Sequence, residues 1–396
     1  MKPLIPALAA LLTLLASTAE ARVKLVALPD RARVVLSLAN QAGTLVEEER
    51  VLTLQKGVNQ IDFSWRGVNI DAGSIQFRPL SAPDQVLVLN TSYPPNENAL
   101  IWAVGCPAAK EERVRISYLL QGLGSDVVYK AVAEPNEKAL TLRNYLRLRN
   151  DSGEDLTDAE ISIGYGTNFK KTLAHEEVLE LLSERIELLP IRKTLAWDST
   201  RQPWDPEYEK STVGIPLHYV IKNDKASKLG LHTLLPGKVR IFIKTKEQPE
   251  KEGDQPGEGV AFTGEDWGQL TPVDREMKLF IGQSREVKVT QRKVKEEKQN
   301  VRRNNFNQPI VWDSDELYKI EIENFKKTAA ELVITEHFPG YWRMAENSHP
   351  DAYKKKDAYT FEYHLTLPPE TSGAKKTTIN FNVVRMNVQG NEPNSY

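Results

Sequence analysis

The chain has 396 residues, with 52 Lys and Arg against 54 Asp and Glu and a net charge of −2. That balance argues against a dedicated nucleic-acid binder, which is usually strongly basic, and the length allows two or three domains with ample core. With Cys106 as its single cysteine, the chain has no intramolecular disulfide.

The first segment, residues 1–21, reads as a signal peptide. Lys2 gives a positive start, Leu4 to Leu15 is apolar apart from Pro6 and Thr13, and Ala19-Glu20-Ala21 supplies the small residues of a cleavage site after Ala21. The run is too short to cross a bilayer with stop-transfer flanks, and no cysteine follows the cut, so a lipid anchor is not indicated. No later apolar run approaches a transmembrane length of about 18 residues. A mature chain beginning at Arg22, periplasmic or secreted, is expected. Cys106, between Gly105 and Pro107, reads as a small buried residue, because no nearby His or cation would activate it as a thiol.

A period of two dominates the remainder of the chain, the signature of half-buried strands. Val114, Ile116, Tyr118 and Leu120 alternate with polar residues, as do Leu140, Leu142, Leu146 and Leu148, then Ala159, Ile161 and Ile163, then Val239, Ile241 and Ile243, then Ile320, Ile322, Leu332 and Ile334. Three stretches share a plan of strand, Asn-opened turn and strand: 145–165 around Asn150, the stretch from 217 around Asn223, and 317–338 around Asn324. This plan is common at hairpins of immunoglobulin-like sandwiches, and its spacing is too irregular for a solenoid. Between Thr172 and Leu189 the pattern changes. Val178, Leu181, Leu182, Ile186 and Leu189 fall at helical spacing before Pro190, which predicts one amphipathic helix. Residues 191–213 read as a connector, 247–259 as a Gly/Pro/acid-rich loop, and 389–396 as a frayed tail. The expected fold is mainly β, with immunoglobulin-like sandwich units over 22–166 and 213–388 and the inserted helix and connector over 167–212.

Several of these segments carry a family likeness. SYLLQG and VVYKA (117–131), YLRLRNDSGEDLTDAEISIGYG (from 145), GLHTLLPGKVRIFIKT (230–245), FTGED (262–266) and KLFIGQSREVKVTQR (278–292) follow one another in order. The chain resembles the bacterial domain-of-unknown-function 4139 family, labelled mucoidy-inhibitor-like, from about residue 25 to about residue 388. The resemblance implies an exported β-rich protein with no established enzymatic site.

Catalytic signatures fail on spacing. Gly122-Leu123-Gly124-Ser125 and Gly282-Gln283-Ser284-Arg285 do not form a nucleophile elbow. Gly230 to Lys238 is no phosphate loop, since Val239 stands where Ser or Thr is required. No two of the six histidines stand at i, i+4, so neither a metal nor a cofactor is predicted. Asp313-Ser314-Asp315-Glu316 groups carboxylates that can bind calcium, but a solvated turn is the plainer reading.

Two basic surfaces are the candidate ligand sites. Arg143, Arg147 and Arg149 share one strand face with Tyr145, and a neighbouring strand could add Arg113 and Arg115. Such a ladder can grip a carboxylate or phosphate through forked guanidinium bonds. Cross-strand pairing with Glu47, Glu49 or Glu160 is the plainer alternative. The second surface runs from Arg285 to Arg303. Lys288, Arg292, Lys293 and Lys295 lead it, Lys298, Arg302 and Arg303 extend it, and eight bases against three acids give a local charge of +5. It is expected to begin as a strand and leave the body as a ribbon or loop, offering a site for an anionic envelope polymer or another envelope protein, or simply a solvated, soluble surface. Trp197, Trp204, Tyr208, Tyr341 and Trp342 sit in loop-like settings, where aromatics stack on sugars or pin the loop to the core. The expected role is a non-enzymatic binding or scaffolding protein of the envelope. The alternative is an envelope-polymer hydrolase assembled from scattered groups such as Asp313, Asp315, His337 and His364.

Overall fold

The computed structural model describes residues 25–26, 28–38, 43–163, 168–201, 214–246, 258–345 and 353–389. The expected signal segment, most of the 247–259 loop, and Trp204 and Tyr208 lie outside the described residues. The mainly β expectation holds: strands and short 3-10 turns are the regular elements of the described residues, with no α-helix among them. No helix there is long and apolar enough to cross a membrane.

The predicted helix is therefore a correction. Val178–Pro190 is a strand. Leu181, Ile186 and Leu189 are its buried residues, while Val178 and Leu182 are exposed. Leu188 has φ of +53°, a left-handed residue within the strand. Such an irregularity turns Ile186 and Leu189 to the same side, three residues apart instead of two. The resulting spacing imitates one helical face.

Five sheets organise the described residues. Sheet 1 runs β1 (Leu25–Val26), β4 (Gly57–Ser64), β7 (Ala99–Cys106), β6 (Leu87–Ser92). Sheet 2 runs β12 (Phe169–Leu173), β11 (Leu156–Ser162), β2 (Arg33–Ser37), β3 (Thr44–Leu54), β8 (Lys110–Leu120), β5 (Gln76–Pro79). Sheet 3 runs β13 (Val178–Pro190), β10 (Ala139–Asn150), β9 (Leu123–Ala133), β16 (Gly237–Lys246), β17 (Glu258–Gly268). Sheet 4 runs β18 (Glu276–Ser284), β15 (Ile215–Lys222), β14 (Arg192–Asp198), β21 (Ala330–His337), β24 (Thr360–Leu367), β23 (Tyr353–Lys355). Sheet 5 runs β19 (Val287–Arg303), β20 (Pro309–Asn324), β25 (Thr377–Gln389), β22 (Tyr341–Met344).

One topological motif recurs four times. A strand leaves its sheet and becomes, in another sheet, the parallel neighbour of an earlier strand: β3 becomes β4 beside β1, β10 becomes β11 beside β2, β15 becomes β16 beside β9, and β20 becomes β21 beside β14. Each arriving strand then takes an antiparallel partner on its other edge, namely β7, β12, β17 or β24. The chain next returns beside the strand that first crossed, as β8, β13, β18 or β25.

The three Asn turns predicted as hairpins are these crossings, which explains why a hairpin reading fails. Asn150, Asn223 and Asn324 are fully buried. Asn150 Nδ2 donates to the carbonyls of Glu154 at 2.8 Å and of Leu173 and Ala174 at 3.1 Å, while its Oδ1 accepts from Ser152 N at 3.1 Å. Asn223 Nδ2 donates to His232 O at 3.0 Å and Thr271 O at 2.9 Å, and its Oδ1 accepts from Gly230 N at 2.8 Å. Asn324 Nδ2 donates to Thr328 O at 3.2 Å and Pro368 O at 2.8 Å, and its Oδ1 accepts from Lys326 N at 3.1 Å. In each case one amide closes its own turn and ties it to the segment after the antiparallel partner strand. Gly230 adopts φ of +84°, and a Cβ there would meet the Asp224 carbonyl carbon at 2.8 Å, so this turn requires glycine.

The chain divides into two compact units: residues to Ser125 with Leu148–Leu179, and Asp126–Arg147 with Glu180 onward. In the first, sheets 1 and 2 meet through Phe63 and Tyr118, whose rings lie 5.7 Å apart, and Phe77 and Trp102, at 4.9 Å. Cys106 is buried there, its Sγ 3.0 Å from Ala108 O. The second unit has two cores. Tyr129, Leu140, Val239, Ile241, Tyr219 and Leu279 join sheets 3 and 4. Leu195, Trp197, Ile334, Phe361, Ile320 and Phe381 join sheets 4 and 5.

Candidate interaction surface

On β10 the alternation is as expected, with Leu146 and Leu148 at 4% and 0% exposure, Arg143 half-buried, and Arg147 and Arg149 exposed. Arg149 pairs with Asp151 at 2.7 Å. The ladder with Arg113 and Arg115 is not formed. β10 lies between β9 and β13, whereas Arg113 and Arg115 lie on β8 between β3 and β5, in a different sheet. Arg115 instead bonds Glu47 at 3.2 Å and Glu49 at 2.6 Å across the strands.

The hydrolase candidates are dispersed. Asp313 and Asp315 stand on β20 in sheet 5, and His337 and His364 on β21 and β24 in sheet 4. Each is engaged locally. Asp313 accepts from Asn300 Nδ2 at 2.7 Å, and the carboxamide of Gln299 reaches Asp315 at 3.2 Å. His337 Nε2 is 3.2 Å from Asp198 Oδ1, and His364 Nε2 is 3.1 Å from Glu362. The Asp313–Glu316 tetrad is not a turn but the middle of β20, so alternation divides it: Ser314 and Glu316 are buried, and the two aspartates lie on the other face. Among the described residues no group of three His, Cys, Asp or Glu is placed to hold a metal ion.

Beside His337 lies a polar cluster that the sequence did not indicate. Glu336 is 2% exposed and accepts from Gln291 Nε2 at 3.0 Å. Burial pushes its carboxyl up to about 8, against hydrogen bonds from Gln291 and Ser199. Burial also works against the charge of Asp198, but bonds from Thr200 and the His337 ring outweigh it and hold this carboxyl below its ordinary value.

The basic stretch is a strand from Val287 to Arg303, with Arg285 and Glu286 in the bend before it. β19 pairs with β20 from Val287↔Asn324 to Arg303↔Pro309. That pairing changes its electrostatics. β19 carries seven bases and two acids, but β20 carries one base and five acids, so the two strands together retain a charge of only +1. Lys288 stands opposite Glu323 in the register. Lys293 bonds Glu296 at 2.7 Å, and Lys295 bonds Glu297 at 2.8 Å. Arg292 is on the same strand. Two acids, Glu321 and Glu323, stand at the proximal end, whereas Glu296, Glu297, Asp313, Asp315 and Glu316 lie from the middle of the hairpin toward its distal end. Residues 298–311 hold Lys298, Arg302 and Arg303 and no acid.

The distal end is firmly built. Lys298 Nζ lies 4.0 Å from the Trp312 ring centroid. The turn is closed by Asn304 Oδ1, which accepts from Phe306 N at 3.0 Å and Gln308 N at 2.9 Å, while Arg303 donates to Asn307 O at 2.8 Å. At its apex Phe306 is 85% exposed, and Ile310, at the start of β20, is 45% exposed. Phe306 is not among the residues that composition and spacing single out. Its signal is the run Asn304-Asn305-Phe306-Asn307, turn residues around one aromatic between two alternating segments. Of the aromatics expected in loops, Trp197 and Trp342 are buried, and Tyr341 is exposed.

These features define a β-sandwich-like protein in which a long charged hairpin, β19–β20, forms one edge of sheet 5. Comparison of the sequence with protein-family models and with curated proteins gives no match.

Proposed function

We propose that the protein is an exported, non-enzymatic binding or scaffolding module of the bacterial envelope, and that the β19–β20 ribbon holds an anionic envelope component. The observation carrying this reading is the composition of the hairpin end: three bases and no acid over 298–311, with Glu296, Glu297, Asp313, Asp315 and Glu316 set directly behind that span. A cationic end on a chain of net charge −2 attracts polyanions locally without non-specific adhesion elsewhere. The buried Asn crossings supply a stiff support. The family resemblance agrees with an exported β-rich protein, and the crossing between facing sheets agrees with immunoglobulin-like sandwiches.

The test is retention on polyphosphate at low and moderate salt. Wild type is expected to be held at moderate salt, and a variant with Lys295, Lys298, Arg302 and Arg303 changed to Gln to elute early. Exposed charges act over a screening length of about 8 Å at physiological ionic strength, so retention must fall steeply with salt. Equal elution of the two proteins, with matching melting curves, would refute the reading. Export is tested separately by the N-terminus of the native protein, expected at Arg22.

A further inference from the structure

We infer that the tip of the β19–β20 ribbon enters the headgroup region of an anionic lipid bilayer, with Phe306 as its apolar anchor. This rests on the proposed polyanion-binding role of the ribbon and specifies its target.

Three observations meet at the tip. Phe306 is 85% exposed, a state that leaves nearly all of a large apolar side chain in water. The loop holding it is tied by Asn304 to Phe306 N and Gln308 N, so the ring is presented on a closed turn and little order must be gained on binding. Arg302 and Arg303 directly precede that turn, Lys298 lies further back along the strand, and Asp313, which is near enough to act on Arg302, is the first acid behind them. An apolar apex followed by a cationic collar matches a bilayer edge, where acyl chains lie beneath phosphates.

A soluble polyanion satisfies the collar but gives the ring no apolar phase. Stacking on a sugar is the other use for an exposed ring. The apex, however, offers a single ring with two arginines behind it, and the Asn304 side chain of the same turn is engaged in closing it. The bilayer therefore accounts for both the arginines and the phenylalanine. Arg302 and Arg303 would donate to lipid phosphates, and Phe306 and Ile310 would sit among the glycerol and upper acyl groups.

The experiment uses the full chain with three probes: phosphatidylglycerol/phosphatidylcholine vesicles, pure phosphatidylcholine vesicles, and polyphosphate. The wild type should sediment with the anionic vesicles and not with the neutral ones. Phe306→Ser should lose about tenfold in vesicle affinity, roughly the worth of one buried large side chain, and keep its retention on polyphosphate. Arg302→Gln with Arg303→Gln should lose on both probes, by about fivefold per arginine on vesicles. A second readout places an environment-sensitive dye on Phe306→Cys. Cys106 is buried, so the dye reports the tip, and a blue shift with anionic vesicles is expected. Unchanged sedimentation of Phe306→Ser, or a dye that stays in water, overturns the insertion. Retention on polyphosphate without vesicle binding overturns the lipid target and leaves the polyanion role standing. Failure on both probes removes both.

Discussion

Two asparagine turns in sheet 5 behave in opposite ways. Asn324 ends β20, is fully buried, and reaches Pro368 O, 44 residues away in sequence. Asn304 follows β19, and its side chain bonds within four residues, to Phe306 N, Gln308 N and Gln308 Oε1. The same residue type therefore does two jobs. When its amide meets a third chain segment it fixes how sheets are joined. When its bonds stay within the turn, it shapes a surface and leaves the neighbouring side chains exposed.

The contrast between buried and self-contained polar groups meets its most severe test at Glu336, another buried polar group of the same unit. Its carboxyl is raised from 4.5 to about 8. Below about pH 4.5 the folded and unfolded states both hold the proton, and stability is intact. As pH rises toward 8, the unfolded chain has released it and the folded chain has not. Stability therefore falls across this window, by up to roughly 4 kcal/mol. The groups facing Glu336 are Gln291, Ser199, Asp198, Tyr318 and Tyr363. Denaturant melts from pH 5 to 8 should show this slope, and Glu336→Gln should flatten it. Next in size, Asn324→Ala removes the side-chain partner of the Thr328 and Pro368 carbonyls and of the Lys326 N–H and should cost about 1–3 kcal/mol. Chemical denaturation of that variant showing a loss under about 1 kcal/mol would remove the distinction between the two turns. Lys298→Ala deletes the contact with Trp312 and should cost about 0.5–1 kcal/mol. Asn304→Ala should change global stability by less than about 0.5 kcal/mol. Hydrogen exchange at Phe306 and Gln308 should nevertheless rise, because their amides lose their acceptor.

Local alternation makes much of this legible. It assigns Leu146 and Leu148 inward and Arg147 and Arg149 outward, and the structure agrees. The features that stay hidden depend on partners far along the chain. Arg115 groups with Arg143 on sequence because both lie on basic alternating strands, but β8 and β10 join different sheets. The charge of the 285–303 stretch looks unopposed because β20, which opposes it, is not recognisable as its partner until the register is known. Leu188 is a different failure. One left-handed residue shifts a strand's inward face by a single position, and a period of two is then read as a helix. The Asn turns are visible as turns, but a turn that folds back within a sheet and one that crosses to another have the same local composition.

Sheet 4 has a thermal consequence. Its β15 and β18 line the core shared with sheet 3, and its β14, β21 and β24 line the core shared with sheet 5, with Leu217 packed against both. Heat cannot dissolve one of these cores and spare the other, because loss of either strips apolar cover from the same hydrogen-bonded sheet. A calorimetric scan of this unit should give one endotherm, with van't Hoff and measured enthalpies in agreement.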